Sequence, residues 1–281
     1  MSAAGSGPLL TQETLAALRQ AARGGAAVCR CSLDLGVSVA EVALTAEGFR
    51  HRDRHYPWPQ PLKERTVYYW SGTGFEPAAV YAGSLIKLVP TPWGAPTFEI
   101  DGIKMLPSAQ LSPFEDARRK VERVGVRGRR VLDTCGGLGY FASWCQQLGA
   151  RHVLSCEKHP QVLWLRGLNP WSPRPDAVLE VVNAAIEHHL GSLPDASFDV
   201  VLHDPPRFGI AGELYARSFY QGLARVLRPG GTLYHYTGAP NSLSSGRDLA
   251  GEVLRRLQQC GFTARRAPDG VLARSVLEPV R

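Results

Sequence analysis

Residues 131–142 read VLDTCGGLGYFA, and this stretch decides the fold. A short aliphatic run ends in Asp133, glycines follow at 136, 137 and 139, and a helix-forming segment opens at Tyr140. A strand that turns at once into a helix needs glycine where the backbone doubles back. The amides at the start of the helix then face whatever lies against the turn. The Gly-x-Gly-x-x-Gly spacing of nicotinamide enzymes is not met, because Phe141-Ala142 follow Gly139, and this disfavours a dehydrogenase.

Downstream, strand-like and helix-like runs alternate: HVLSCE (152–157), PQVLWLRGL (160–168), AVLEVVN (177–183), AAIEHHL (184–190), FDVVLHD (198–204), GELYARSFYQGLARVL (212–227), TLYHYTG (232–238) and GRDLAGEVLRRLQQCG (246–261). The strand runs are short, continuous and β-branched, as in parallel strands covered on both faces. The expected architecture is therefore an α/β, Rossmann-like, mostly parallel sheet. FTARRAPDGVLARSV (262–276) adds a terminal antiparallel hairpin around Asp269-Gly270. In such sheets ligands bind along the carboxyl edge. Here that edge carries Asp133, then Glu157 placed 24 residues on, Asn183, and HDPPRF (203–208).

Upstream the rhythm differs. VCRCSLDLGVSVAEVALT (28–45), TVYYW (66–70), AAVYAGSLIKLV (78–89) and TFEIDGIKML (97–106) alternate apolar and polar residues between Gly/Pro turns, predicting small antiparallel sheets. Thr11 to Arg23 reads as a short helix stopped by Gly24-Gly25, and HRDRHYPWPQPLKER (51–65) reads as a basic, Pro-rich linker. Ser112 and Glu115 have capping-box spacing ahead of a helix over 113–124. The expected division is an N-terminal β-rich domain over 1–110, with a short leading helix, and a second domain over 111–281.

Composition narrows the function classes. The chain has 281 residues, 44% hydrophobic and 20% charged, which is the make-up of a globular protein with a core rather than a disordered one. No apolar run is long enough for a membrane helix, and MSAAGSGPLLTQETLAALRQ lacks the pattern of a secretory leader. Six scattered cysteines fit a reducing cytoplasm, and Cys29-x-Cys31 is too close-spaced for a zinc knuckle. The net charge is +7, from 32 Lys+Arg of which five are lysines, against 25 Asp+Glu. That excess permits an anionic partner such as nucleic acid without demanding one.

VLDTCGGLGYFA, CEKHP, VVNAA, FDVVLHDPP and VLRPGGTLYHY, in this order, resemble the motifs of class I S-adenosylmethionine-dependent methyltransferases. The resemblance covers roughly 112–281. TFEIDGIKM before it is similar to the spermidine-synthase-like layout. NPWS, HDPPRFGIAGELY and GRDLAGEVLRRL look like a group of archaeal-type predicted methyltransferases. The resemblance implies S-adenosyl-L-methionine as cofactor. Asp133, Gly137 and Gly139 would shape its pocket, Glu157 would hold the ribose, and Asn183 with Ala184 would flank adenine. Cys135, Tyr140, Lys158 and Asp204 complete the implied cofactor edge. Cys135 replaces the first glycine of the usual D-x-G-x-G-x-G, which narrows the pocket locally.

The acceptor side is implied by HDPPRF. In amino-group methyltransferases a similar Asp/Asn-Pro-Pro-aromatic turn orients an NH2 group through the acidic or amide side chain and the first proline's carbonyl. Asp204, Pro205 and Pro206 match, but Arg207 stands at the aromatic position and Phe208 is displaced by one. Arg207 suits an anionic acceptor. The expected activity is methyl transfer to a nitrogen, with the acceptor open between nucleic acid and an anionic small molecule. Protein methylation and aminopropyl transfer are the alternatives. His235 and Tyr236 are candidate bases, Glu213, Tyr215 and Tyr220 are candidate acceptor contacts, and Lys104 and Met105 are candidate pocket residues from the first domain. His203, by strand alternation, points away from Asp204.

Overall fold

The computed structural model describes residues 7–238 and 248–276. The first residues of the leader reading (1–6) and Gly246-Arg247 of the GRDLAGEVLRRL motif lie outside them. The chain divides into two compact units: Met1–Asp116 with Gln161–Ser172, and Ala117–Pro160 with Pro173–Arg281. The division thus falls six residues beyond the expected 110, and a twelve-residue segment from the middle of the chain joins the N-terminal unit.

In the N-terminal unit a two-residue strand, Leu9–Leu10, precedes α1 (Gln12–Arg23), whose first turn is closed by Thr11 Oγ1 accepting from the Thr14 amide at 3.2 Å. The unit holds three small antiparallel sheets of three, four and four strands. The supposed linker is partly sheet. Gly48–His51 pairs with Arg54–Pro57 through a two-residue turn in which Arg52 and Asp53 both have positive φ, at 50° and 61°. Such a turn matches the twist of a hairpin. The charge at its tip disguised it as a linker, whereas Tyr56 is buried and stacks on Phe49 at 5.4 Å. Cys29 and Cys31, on Val28–Cys31, are half-buried and pack on the same core.

The second unit is one seven-stranded sheet. Its strands are β1 (Arg130–Asp133), β2 (His152–Glu157), β3 (Leu179–Asn183), β4 (Phe198–His203), β5 (Leu227–Tyr236), β6 (Phe262–Ala267) and β7 (Gly270–Ser275). Their spatial order is β3-β2-β1-β4-β5-β7-β6. The first five are parallel and β7 runs antiparallel to both β5 and β6. α2 (Pro113–Val124) precedes β1, and α3 (Tyr140–Gln147), α4 (Pro160–Leu168), α5 (Ile186–His189), α6 (Arg217–Val226) and α7 (Leu249–Gln259) fall between the strands in sequence, α4 from Gln161 onward belonging to the N-terminal unit. The strand order reverses between β1 and β4, which makes their carboxyl ends the switch point where open α/β sheets bind ligands. Leu132, Val201, Leu233, Tyr220 and Leu223 are buried in one continuous core of this unit. Among the described residues, no helix is long and apolar enough to cross a membrane.

Candidate functional site

The glycine turn fills one side of the switch point. Gly137 and Gly139 sit at φ 50° and 81°, the left-handed region where a side chain would be strained. The turn is closed by the Gly139 amide donating to Gly136 O at 2.7 Å, and it is tied to β2 by the Gly136 amide donating to Cys156 O at 2.7 Å. At the end of β2, Glu157 accepts from the Gly137 amide through Oε2 and from the His159 amide through Oε1, both at 2.9 Å. Each carboxylate oxygen retains a second lone pair, so the same group can also receive hydroxyls.

Asp133, buried at the end of β1, accepts from Ser155 Oγ at 2.8 Å. Asn183 pairs in register with Glu157 and donates its amide nitrogen to the carbonyls of Glu157 and Lys158, at 2.8 and 3.1 Å. That fixes its orientation, and the Ala184 amide donates to Glu157 O at 3.1 Å beside it. Lys158 is exposed and Tyr140 is buried. Cys135 is half-buried, a free thiol that burial pushes well above its ordinary pKa. It is therefore a small wall residue rather than a nucleophile. This edge joins a flexible-backbone turn, an oriented carboxylate and an oriented amide, a donor set that fits a nucleoside-bearing cofactor such as S-adenosyl-L-methionine.

Across the switch point, Asp204 leaves the end of β4. Its Oδ2 lies 3.0 Å from Lys120 Nζ, and that lysine side chain is only 1% exposed. The ammonium also stands 3.6 Å from the centroid of the Tyr236 ring and 5.8 Å from that of Phe141. Lys120 was not legible as a site residue from its local motif, although a signal existed. It falls in the apolar stripe of α2 formed by Ala117, Val121 and Val124, all three buried. A lysine at i+3 of a buried face must have a partner.

Behind Asp204, Tyr215 donates its hydroxyl to Pro206 O at 3.0 Å, which holds the double-proline turn from below. Phe208 packs edge-on against Tyr215 at 5.3 Å and is half-buried against the core, while Arg207 is exposed. Pro205 is buried.

The two histidines are structural. His203 meets Thr134 Oγ1 at 2.7 Å and Leu214 O at 3.1 Å. His235 meets Tyr236 O through Nδ1 at 2.9 Å and the Tyr220 hydroxyl through Nε2 at 3.0 Å. Both rings are buried, and burial pushes His235 down to about 4. The expectation of His235 as a base fails on this geometry, because both its nitrogens are spent inside the core. Tyr215 and Tyr220 are buried packing residues with phenols pushed up by burial, and Glu213 is exposed. In the N-terminal unit Lys104 donates to Ser108 Oγ at 3.0 Å.

Residues 132–235 match a family described as a methyltransferase domain. An uncharacterised protein of Methanocaldococcus jannaschii is 43% identical over 193 residues, covering 66% of this chain and 64% of that protein. A polyamine aminopropyltransferase of Streptomyces coelicolor is 38% identical over 118 residues, 39% of this chain and 21% of that protein. The chain therefore spans less than two thirds of either relative. Spermidine synthase of Thermotoga maritima shares the fold, with TM-score 0.53 and 18% identity over 80% of this chain and 82% of that one. Sheet order, switch-point residues and sequence match together identify residues 132–235 as a methyltransferase domain on the class I methyltransferase fold.

Proposed function

We propose that the chain transfers a methyl group from S-adenosyl-L-methionine to a nitrogen acceptor carried on nucleic acid. The observation that supports this most is the Asp204-Pro205-Pro206 turn at the switch point, facing the glycine turn across the β1–β4 boundary and braced by Lys120 and Tyr215.

Glu157, Asn183 and the 136–139 turn would hold the cofactor. When bound, S-adenosyl-L-methionine supplies a methyl group already activated on a sulfonium, so the protein's task is alignment and exclusion of water. Asp204 presents a carboxylate that accepts an N–H of the acceptor and aims the nitrogen lone pair. A nitrogen methylated there would have a proton to shed, and the Asp204 carboxylate would receive that N–H and pass the proton on to solvent. Lys120, anchored on Tyr236, holds that carboxylate in one place. Phe208 is half-buried and edge-on to Tyr215, and in this reading the acceptor is oriented by hydrogen bonding at Asp204.

Aminopropyl transfer is the second reading, favoured by the Streptomyces relative. It asks for carboxylates open to a polycation, and here a polycation would compete with Lys120 for Asp204. Incubation of the purified chain with methyl-labelled S-adenosylmethionine and fractionated cell extract tests the proposal. Label in the RNA or DNA fraction is expected. Label confined to protein or small molecules overturns the nucleic-acid acceptor, and absence of cofactor binding by calorimetry overturns methyl transfer itself.

A further inference from the structure

We infer that an arginine-lined cavity on the open face of the C-terminal hairpin binds the phosphodiester backbone of a nucleic-acid strand. The inference deepens the nucleic-acid reading above and rests on it for the identity of the ligand. The cavity has a volume of about 450 Å³ and is lined by Arg123, Arg129, Arg265 and Arg274, with Thr232 and Thr263 among them.

Strand register builds it. Thr232 on β5, Arg274 on β7 and Thr263 on β6 are direct cross-strand partners, so they project from the same face of the sheet. Tyr234, Leu272 and Arg265 form the next row on that face. On the opposite face Val271 and Phe262 are buried in the core. Arg123 comes from the end of α2 and Arg129 from the segment before β1.

Charge identifies the occupant. Among the described residues, no carboxylate lines the cavity. Asp269, just beyond it, is committed to Arg123 and to the Tyr234 hydroxyl. Arg129 donates to Val124 O, and among the described residues it forms no ion pair. Arg265 and Arg274 are exposed, and among the described residues neither forms an ion pair. Three guanidinium groups without an ion pair among the described residues, and two hydroxyls, around one concavity match a ligand with several phosphates, because the guanidinium fork pairs with phosphate bidentately. Charge on the edge strand β6 alone would be ordinary protection against sheet-edge association. These arginines, however, converge from both strands of the hairpin, a helix and a loop.

Position ties the cavity to the reaction edge. Arg123 lies one helical turn from Lys120 on α2, and Thr232 lies four residues before Tyr236 on β5. At ~3.3 Å per residue the second separation is roughly 13 Å, about four nucleotides of a stacked strand at ~3.4 Å each. A strand anchored here reaches Asp204 with a base a few nucleotides away.

Fluorescence anisotropy of the full chain with a labelled oligouridylate tests the inference. Binding should weaken steeply with salt. The double variant Arg265→Glu/Arg274→Glu should lose at least ~30-fold in affinity and lower the salt slope by about 1.4, two phosphate contacts at ~0.7 each. The control Arg50→Glu/Arg54→Glu, on the N-terminal hairpin, should stay within about threefold. Cofactor binding and the melting temperature of the test variant should match those of the parent chain. Undiminished binding by Arg265→Glu/Arg274→Glu overturns the inference, as does equal competition by inorganic pyrophosphate at matched phosphate concentration. The same holds for a chain that binds cofactor and methylates a non-nucleic acceptor without binding the oligonucleotide; methyl transfer then stands. Oligonucleotide binding lost in the double variant, in a chain that does not bind cofactor, upholds the cavity and overturns the methyl-transfer reading.

Discussion

Lys120 Nζ and Asp204 Oδ2 stand 3.0 Å apart, joining residues 84 positions distant in sequence, with the lysine 1% and the aspartate 18% exposed. Removing one member of a pair this buried leaves a charge that the interior cannot solvate. Lys120→Met is expected to lower unfolding free energy by about 2–4 kcal/mol, below the usual upper figure because Asp204 retains some access to water. Adding Asp204→Asn should restore at least half of that loss. Urea unfolding of the two single variants and the double variant gives the coupling, and strictly additive effects would show that the pair contributes nothing.

The same pair decides how Asp204 should be probed. Asp204→Ala strands the buried ammonium as well as deleting the carboxylate, so Asp204→Asn is the cleaner change. Methyl transfer should fall by about two orders of magnitude, the range of a lost general acid–base or orienting contact. Calorimetric affinity for the cofactor should stay within a few fold. Turnover close to that of the parent chain would remove Asp204 from the acceptor side.

Glu157 should show the opposite split. Its carboxylate holds the Gly137 and His159 amides, and in the proposed complex it would also receive ribose hydroxyls. Glu157→Ala is expected to weaken S-adenosylmethionine binding by about 1.5–3 kcal/mol, as charge-assisted hydrogen bonds are lost. Titration calorimetry measures this directly, and an unchanged dissociation constant would place the cofactor elsewhere.

Acid sensitivity follows from the buried histidines. Burial pushes His235 down to about 4 and holds His203 well below its ordinary value, with His235 adding to the effect. Above about pH 6.5 both folded and unfolded chains carry neutral rings, and the stability is fully present. As pH falls from there toward 4, the unfolded chain takes up protons that the folded chain refuses. Roughly 3 kcal/mol is then lost for His235 alone. His235→Gln should flatten the urea midpoint across this window relative to the parent chain. Identical pH profiles for the two proteins would contradict the assignment.

The carboxyl-edge residues were legible because local chemistry announces them. Asp133, Glu157 and Asn183 each end an apolar run, and the glycine turn fixes where the edge must be. Lys120 was hidden because its meaning lies in a partner on another element, and PFEDARRKVERV looks like a solvated helix unless the stripe is counted. His235 misled for a related reason. A histidine at a strand's end near the site looks catalytic until Tyr220 and the Tyr236 carbonyl are found on its two nitrogens. The N-terminal strands were placed but run together. VCRCSLDLGVSVAEVALT holds two strands, Val28–Cys31 and Ala40–Leu44, separated by a turn with Leu35 at φ 54°. A leucine at positive φ carries no sequence signature.

The grouping of Gln161–Ser172 with the first 116 residues bears on what can be removed from this protein. In that unit Trp164 meets Tyr69 edge-on at 5.7 Å, Trp171 packs on Phe114 at 5.2 Å, and Trp171 Nε1 donates to Leu35 O at 2.9 Å. The segment connects β2, which ends in Glu157, to β3, which ends in Asn183, so the chain visits the N-terminal unit between two residues of the cofactor edge. A fragment begun at the methyltransferase motifs would leave two indoles and a helix without their packing. The first hundred residues are thus not an exchangeable appendage: the crossover between Glu157 and Asn183 is theirs to keep in shape.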